Sequence, residues 1–341
     1  MTRIRVLVVD DSAFARKVLR ESLATNAALE VVATASDGID ALEKIAELRP
    51  DVITLDLVMP NLDGLGVLKA LSQEQRRRVV IVSMADGESE LGVAALASGA
   101  FDLVHKPTAL AIDSLRDIAQ ELVEKVLLAG RNRPRAEAER LETPTKAVAP
   151  PAPSERVVLI GTSTGGPQAL SRLLGALPAD FPAPIVIVLH IPLGYTGPFA
   201  DRLNKECAIH VVEAEEGLRL RPGLAVVARA GQHLRVAAAG GESWLVLSSE
   251  PAGSVHCPSV DVLFESAARR LGARALGVVL TGMGDDGLVG SRAIVAAGGR
   301  VLTEAESSCV VYGMPRVVHE AGLSAGAFTL DRMAAEITAR L

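Results

Sequence analysis

The sequence predicts an α/β chain in two domains, each built on a mostly parallel sheet, and three observations carry that reading. Short runs rich in Val, Ile and Leu, at 4–9, 52–55, 79–82 and 103–105 and again at 157–160, 185–189, 275–280 and 300–303, read as buried strands. Segments of helical period separate many of them; the one holding Leu115, Ile118, Leu122 and Val126 has Asp113 as a candidate N-cap. Between the two sets the texture changes. Residues 130–156 carry Arg131, Arg133, Arg135 and then Ala149-Pro150-Pro151-Ala152-Pro153, with few side chains able to join a core. The expected organisation is a first domain over 1–128, a linker over 129–156 and a second domain over 157–341.

Composition sets the outer bounds. At 341 residues there is room for two domains, and 49% apolar with only 3% aromatic residues fits Ala-, Val- and Leu-rich α/β layers. Residues 1–129 hold 14 Lys and Arg against 20 Asp and Glu, while 130–341 hold 21 of each, so the net charge of −6 belongs to the first domain. Beyond Arg76-Arg77-Arg78, which reads as a solvated helix end, no basic footprint for nucleic acid exists. Cys207, Cys257 and Cys309 stand apart, which argues against a disulfide framework or a zinc site and fits a reducing cytoplasm. The apolar start meets Asp10 and Asp11 too early for a signal peptide, and no run is long enough to span a bilayer.

In the first domain, polar residues sit just past the apolar runs. Asp10 and Asp11 follow the first, Asp56 the second, Ser83 the third and Lys106 the fourth. In a parallel sheet the carboxyl ends of strands share one edge, so these side chains converge. Three carboxylates suit a hard divalent cation such as Mg²⁺. Asp56 then reads as a nucleophile for a phosphoryl group that would bridge the metal, Ser83 and the Lys106 ammonium. Any one of these residues alone would be a solvated loop charge; all four in order at strand ends make a site.

The stretches Val8-Val9-Asp10-Asp11-Ser12, Asp56-Leu57-Val58-Met59-Pro60, Asp63-Gly64 and Lys106-Pro107 resemble the receiver domains of two-component signalling. The resemblance implies a flavodoxin-like fold with a parallel five-stranded sheet, Mg²⁺ at Asp10, Asp11 and Asp56, phosphorylation at Asp56, and a histidine kinase as phosphodonor.

The second domain opens with a strand, then Gly161-Thr162-Ser163-Thr164-Gly165-Gly166, then a helix from Pro167. Four short β-rich pieces, at 211–212, 224–227, 234–236 and 244–247, lack helices between them and predict the small antiparallel section. The βα pattern resumes at 275–280, with a helix to about residue 297, the strand 300–303 and a last helix from Asp331.

Gly161-Thr162-Ser163-Thr164-Gly165 fits G-x-S-x-G on a strand-to-helix turn, where glycines allow a tight bend that exposes the serine hydroxyl. A bare match also fits a phosphate-binding loop or a structural turn. His190 ends a second strand and supplies the base that a serine needs. Asp286, past a third strand, can orient the imidazole. His319 is the rival base, because Ser163, Asp286, His319 follows the α/β-hydrolase chain order; it falls inside a predicted helix, so Ser163–His190–Asp286 is preferred. His105, His210, His233 and His256 read as structural or surface residues, and Trp244 as packing.

The runs Gly161 to Gly166, His190-Ile191-Pro192-Leu193-Gly194-Tyr195-Thr196, Pro258-Ser259-Val260-Asp261, Leu280 to Gly287 and Tyr312-Gly313-Met314-Pro315 resemble the catalytic domain of the chemotaxis protein-glutamate methylesterases. The resemblance implies the triad Ser163, His190 and Asp286, an oxyanion donor in the Met283 backbone N–H, and Thr164 in the same site. It implies hydrolysis, without a cofactor, of glutamyl methyl esters on the cytoplasmic helices of methylated chemoreceptors, and also deamidation of receptor glutamines. It further implies that the unphosphorylated receiver covers the hydrolase crevice. The alternative is a receiver-controlled adaptor whose hydrolase-like half has lost turnover.

Overall fold

The computed structural model describes residues 3–76, 78–84, 89–106, 114–131 and 154–341. Arg77, Pro107, the Asp113 cap and nearly all of the expected linker lie outside the described residues, as do the side chains of Leu115 and Ile118. The chain divides into two compact units, Met1–Pro134 and Arg135–Leu341.

The first unit runs β1 (Ile4–Val9), α1 (Ala13–Ala24), β2 (Leu29–Ala35), α2 (Gly38–Leu48), β3 (Val52–Leu55), α3 (Gly64–Ala70), α4 (Gln73–Arg76), β4 (Val79–Ser83), α5 (Ser89–Ala97), β5 (Asp102–His105) and α6 (Ser114–Arg131). All strands pair in parallel, in the order β2-β1-β3-β4-β5. The order reverses between β1 and β3, the place where a doubly wound sheet opens a crevice at its carboxyl edge. Helices cover the sheet, so the central strands are apolar without alternation: β3 and β4 are buried along their whole length. Local caps fix the loops that leave this edge. Ser12 accepts the Ala15 N–H at the start of α1, and Asp63 accepts the Gly66 N–H at the start of α3.

The second unit runs β6 (Val157–Thr162), α7 (Gly166–Gly175), β7 (Ile185–Leu189), α8 (Thr196–Glu206), β8 (His210–Glu213), β9 (Leu224–Val227), β10 (His233–Ala239), β11 (Glu242–Ser248), α9 (Val260–Leu271), β12 (Ala275–Val279), α10 (Leu288–Ala296), β13 (Arg300–Glu304), α11 (Met314–Glu320), β14 (Ala327–Phe328) and α12 (Leu330–Thr338). Seven strands form one parallel sheet in the order β14-β13-β12-β6-β7-β9-β8, and β10 with β11 forms a separate antiparallel hairpin. The winding reverses between β6 and β12, so the crevice opens where β6 is flanked by both β7 and β12.

One expectation is corrected. Of the four β-rich pieces placed in an antiparallel section, the first two are β8 and β9, which extend the parallel sheet. Parallel strands need a crossover, and the one between them is not a helix. It is an extended segment that pairs with the hairpin: the Gly217 N–H donates to Leu245, the Leu245 N–H to Leu218, and the Leu220 N–H to Ser243.

Candidate active site and phosphoacceptor site

Ser163 follows β6 directly and precedes α7, and its position is set by backbone. Its N–H donates to the Thr281 carbonyl at 3.1 Å, and the Thr162 hydroxyl donates to the same oxygen at 2.7 Å. The Thr281 hydroxyl returns a bond to the Thr164 carbonyl at 3.0 Å. Gly165 turns the chain into α7 with φ 79°, and a Cβ there would meet Val310. On the other side, a Cβ on Gly282 would lie 2.9 Å from the Ser163 Cβ and strike the Met314 sulfur. The glycines thus permit a turn that no larger residue fits.

His190 follows β7, and its N–H donates to the Thr162 carbonyl, one residue before Ser163. Its Nε2 lies 2.9 Å from Asp286 Oδ2, with the two side chains only 10% and 8% exposed. An ionised carboxylate cannot donate, so Nε2 carries the proton in this pair. The buried Nδ1 has no hydrogen-bond partner and is the ring nitrogen left to take a proton. His256 stacks on the imidazole, with ring centroids 4.1 Å apart and planes 14° from parallel.

Asp286 is ringed by donors. Besides His190, it accepts the Ser259 hydroxyl at 2.9 Å, the Val260 N–H at 2.7 Å and the Asp261 N–H at 2.9 Å, which are the N-terminal groups of α9. Burial alone would raise its pKa; the His190 bond and charge, with the two amides, outweigh that and bring it to about 2.

The remaining expected residues are distributed as follows. Thr164 is buried in the Ser163 turn. Met283 is half-buried in the loop after β12, and among the described residues its N–H donates to no protein acceptor. His319 is exposed in the last turn of α11, whereas the Asp286 carboxylate is taken by His190.

In the first unit, Asp10, Asp11 and Asp56 each offer an oxygen within 4.8 Å of the others. Lys106 Nζ reaches Asp56 Oδ2 at 2.6 Å and Asp10 Oδ2 at 3.0 Å. Ser83, fully buried, ends β4, and the Lys106 N–H donates to its carbonyl at 2.8 Å. Burial pushes Asp56 up to about 6, with Asp10 adding to the rise and Lys106 opposing it. One ammonium among three carboxylates leaves the cluster short of positive charge, so the donor set fits a hard divalent cation.

Residues 158–337 match the CheB methylesterase family, and residues 6–119 match the response regulator receiver domain. A protein-glutamate methylesterase/protein-glutamine glutaminase of Myxococcus xanthus is 59% identical over 97% of this chain and 96% of its own. The chain belongs to the CheB methylesterase family. A second member, from Salmonella typhimurium, carries the same name and is 40% identical over 100% of this chain and 98% of its own. The crystal structure of the Thermotoga maritima CheB methylesterase catalytic domain covers 55% of this chain and 98% of that one, at 35% identity and a TM-score of 0.53.

Within this CheB methylesterase fold, the contacts of two residues near the candidate triad have no local signal in the sequence. His256, which by sequence reads as structural or surface, stacks on His190. Ring stacking depends on a loop conformation that no local pattern encodes. Asp261 belongs to the Pro258–Asp261 run of the resemblance, which gives it no role of its own; its N–H meets Asp286, 25 residues away, only in the fold. Among the described residues no helix is long and apolar enough to cross a membrane.

Proposed function

We propose that this protein is a cytoplasmic, phosphorylation-controlled serine hydrolase that removes methyl groups from glutamyl methyl esters of chemoreceptors and also deamidates receptor glutamines. The carrying observation is the His190–Asp286 pair, which leaves a partnerless Nδ1 on the histidine that follows the strand beside Ser163. Ser163 Oγ attacks the ester carbonyl while Nδ1 takes its proton. The oxyanion is met by the Met283 N–H, with Thr164 shaping the same pocket. The C–O bond to methoxide then breaks, and His190 returns the proton so that methanol leaves. Water, deprotonated by His190, cleaves the acyl-enzyme and restores Ser163. For a glutamine the leaving group is ammonia. Asp286, ionised throughout, holds the ring and stabilises its protonated form.

In the receiver domain, Asp56 is the phosphoacceptor and a histidine kinase the phosphodonor. Mg²⁺ would be held by Asp10, Asp11 and Asp56 and would offset the charge of an arriving phosphoryl group. Ser83 and Lys106 would contact that group. The test is methanol release from methylated receptor membranes with and without a phosphodonor. Release that rises with phosphorylation is expected; none from several receptors would favour the adaptor alternative.

A further inference from the structure

Two helices of the second unit exchange caps beside the proposed triad. The N-terminus of α9 donates to Asp286, which lies two residues before α10. Asp261, the second residue of α9, reaches back. Its Oδ1 accepts the Gly287 N–H at 3.0 Å and the Gly290 N–H at 2.6 Å. The N-cap of α10 is Gly287, with φ 100° and no side chain of its own to bind the first amides. Asp261 supplies that cap from the neighbouring helix. The helices touch here, because a Cβ on Gly290 would lie 3.0 Å from the Asp261 Cα.

We infer that Asp261 is a positioning residue for the hydrolase: by closing the N-terminus of α10 it fixes the Gly287 backbone, and so the direction in which Asp286 faces His190. The inference rests on the triad proposed above. Asp286 has one peptide link between its own Cα and the anchored Gly287, so a shift of the α10 start moves its carboxylate. Misplacing a catalytic group by about 1 Å can cost about a hundredfold in rate.

The charge of Asp261 also bears on the site. Burial pushes its carboxyl up to about 6; the Gly290 and Gly287 amides oppose the rise, and the charges of Asp286 and Glu265 add to it. The other elements packed on α9 bring few charges. On α10 there is only Arg292, which is exposed; on β10 there are Arg235 and His233, the latter accepting the Ser259 N–H. An ionised Asp261 accepts both amides strongly, and a protonated one weakly. Turnover should therefore rise through an ionisation near pH 6 that belongs to Asp261.

The experiment uses the phosphorylated full chain and methylated receptor membranes, with kcat and KM measured from about pH 5 to about pH 8. Asp261→Ala is expected to lower kcat about tenfold to a hundredfold with KM unchanged. Asp261→Asn, which keeps an oxygen for both amides but no charge, is expected to give a kcat between those of Asp261→Ala and the unsubstituted protein at about pH 8, and to lose the rise that Asp261 contributes near pH 6. A carboxyl titration of Asp261 by ¹³C NMR, with its midpoint near 6 in the unsubstituted protein, assigns that step without reference to activity. Wild-type kcat in Asp261→Ala overturns the inference, as does an Asp261→Asn profile identical to that of the unsubstituted protein from about pH 5 to about pH 8; if the Ala variant does not fold, the Asn profile decides alone. Ser163→Ala runs alongside. Unaffected Asp261→Ala beside inactive Ser163→Ala removes the role of Asp261 and leaves the triad standing, whereas an active Ser163→Ala removes the triad and this role together.

Discussion

The carbonyl of Thr281 receives the N–H of Ser163 at 3.1 Å, which ties the proposed nucleophile to the strand that leads to Asp286. Thr281 is itself held from below, its N–H donating at 2.8 Å to the buried carboxyl of Glu304 on β13. The proposed nucleophile and the proposed acid therefore share one backbone frame.

That frame does not depend on the Ser163 hydroxyl. Ser163→Ala should fold normally, retain phosphorylation at Asp56, and lose roughly three or more orders of magnitude in ester hydrolysis. Paired assays of His190→Gln and His319→Gln locate the base. The first should collapse turnover and the second leave it nearly intact; the reverse result would move the base to His319.

Asp286 gives the second unit a defined acid sensitivity. Its pKa is about 2 in the fold against 3.8 for an unperturbed Asp, so it contributes stability that is complete above about pH 4 and lost as pH falls toward 2. The contribution is about 2 kcal/mol. Asp261 works in the other direction, because its raised pKa takes stability away as pH rises through about 6. Trp244, the chain's one tryptophan, lies in β11 and reports this unit alone. Urea unfolding followed by its fluorescence should show Asp286→Asn less stable than the unsubstituted protein at pH about 5, with the gap closing toward pH about 3. A gap independent of pH would contradict the assignment.

Asp56→Asn should abolish Mg²⁺-dependent phosphate incorporation from a small phosphodonor or a histidine kinase. The amide removes the attacking oxygen and one ligand charge while leaving Lys106 its contact with Asp10. Mass spectrometry that found phosphate on another residue of this variant would remove Asp56 as the acceptor.

Coupling between the halves is tested with the fragment 154–341. If the receiver restrains the hydrolase, the fragment should cleave ester without phosphodonor, faster than the intact unphosphorylated chain, and a phosphodonor should accelerate only the intact chain. A folded fragment slower than the intact unphosphorylated chain would instead mean that the receiver contributes to turnover.

What could be read from the sequence was what is local. An apolar run followed at once by Asp10 or Asp56 places that side chain at a strand's carboxyl end, because strand and polar residue are adjacent in the chain. The glycines around Ser163 likewise announce a turn. Pairing between distant segments left no such mark. β8 and β9 carry the composition of any short strand, and their parallel register is set by a crossover bonded to the hairpin. The reach of Asp261 to the start of α10 and the stacking of His256 on His190 are likewise meetings of residues far apart in sequence.

The position of β6 between β7 and β12 has a consequence for how activity reports on the chain. Ser163, His190 and Asp286 leave three neighbouring strands, and the last two are 96 residues apart in sequence. No piece of the unit that begins after Ser163 or ends before Asp286 holds the constellation, and a chain emerging from the ribosome gains all of it only after β12 has docked. Fraying of the outer strands β8 and β14 leaves it untouched, whereas separation of β12 from β6 dismantles it at a stroke. Ester hydrolysis is in that sense an assay of the native centre of the sheet, able to count correctly closed molecules in a sample where bulk spectroscopy averages over all of them.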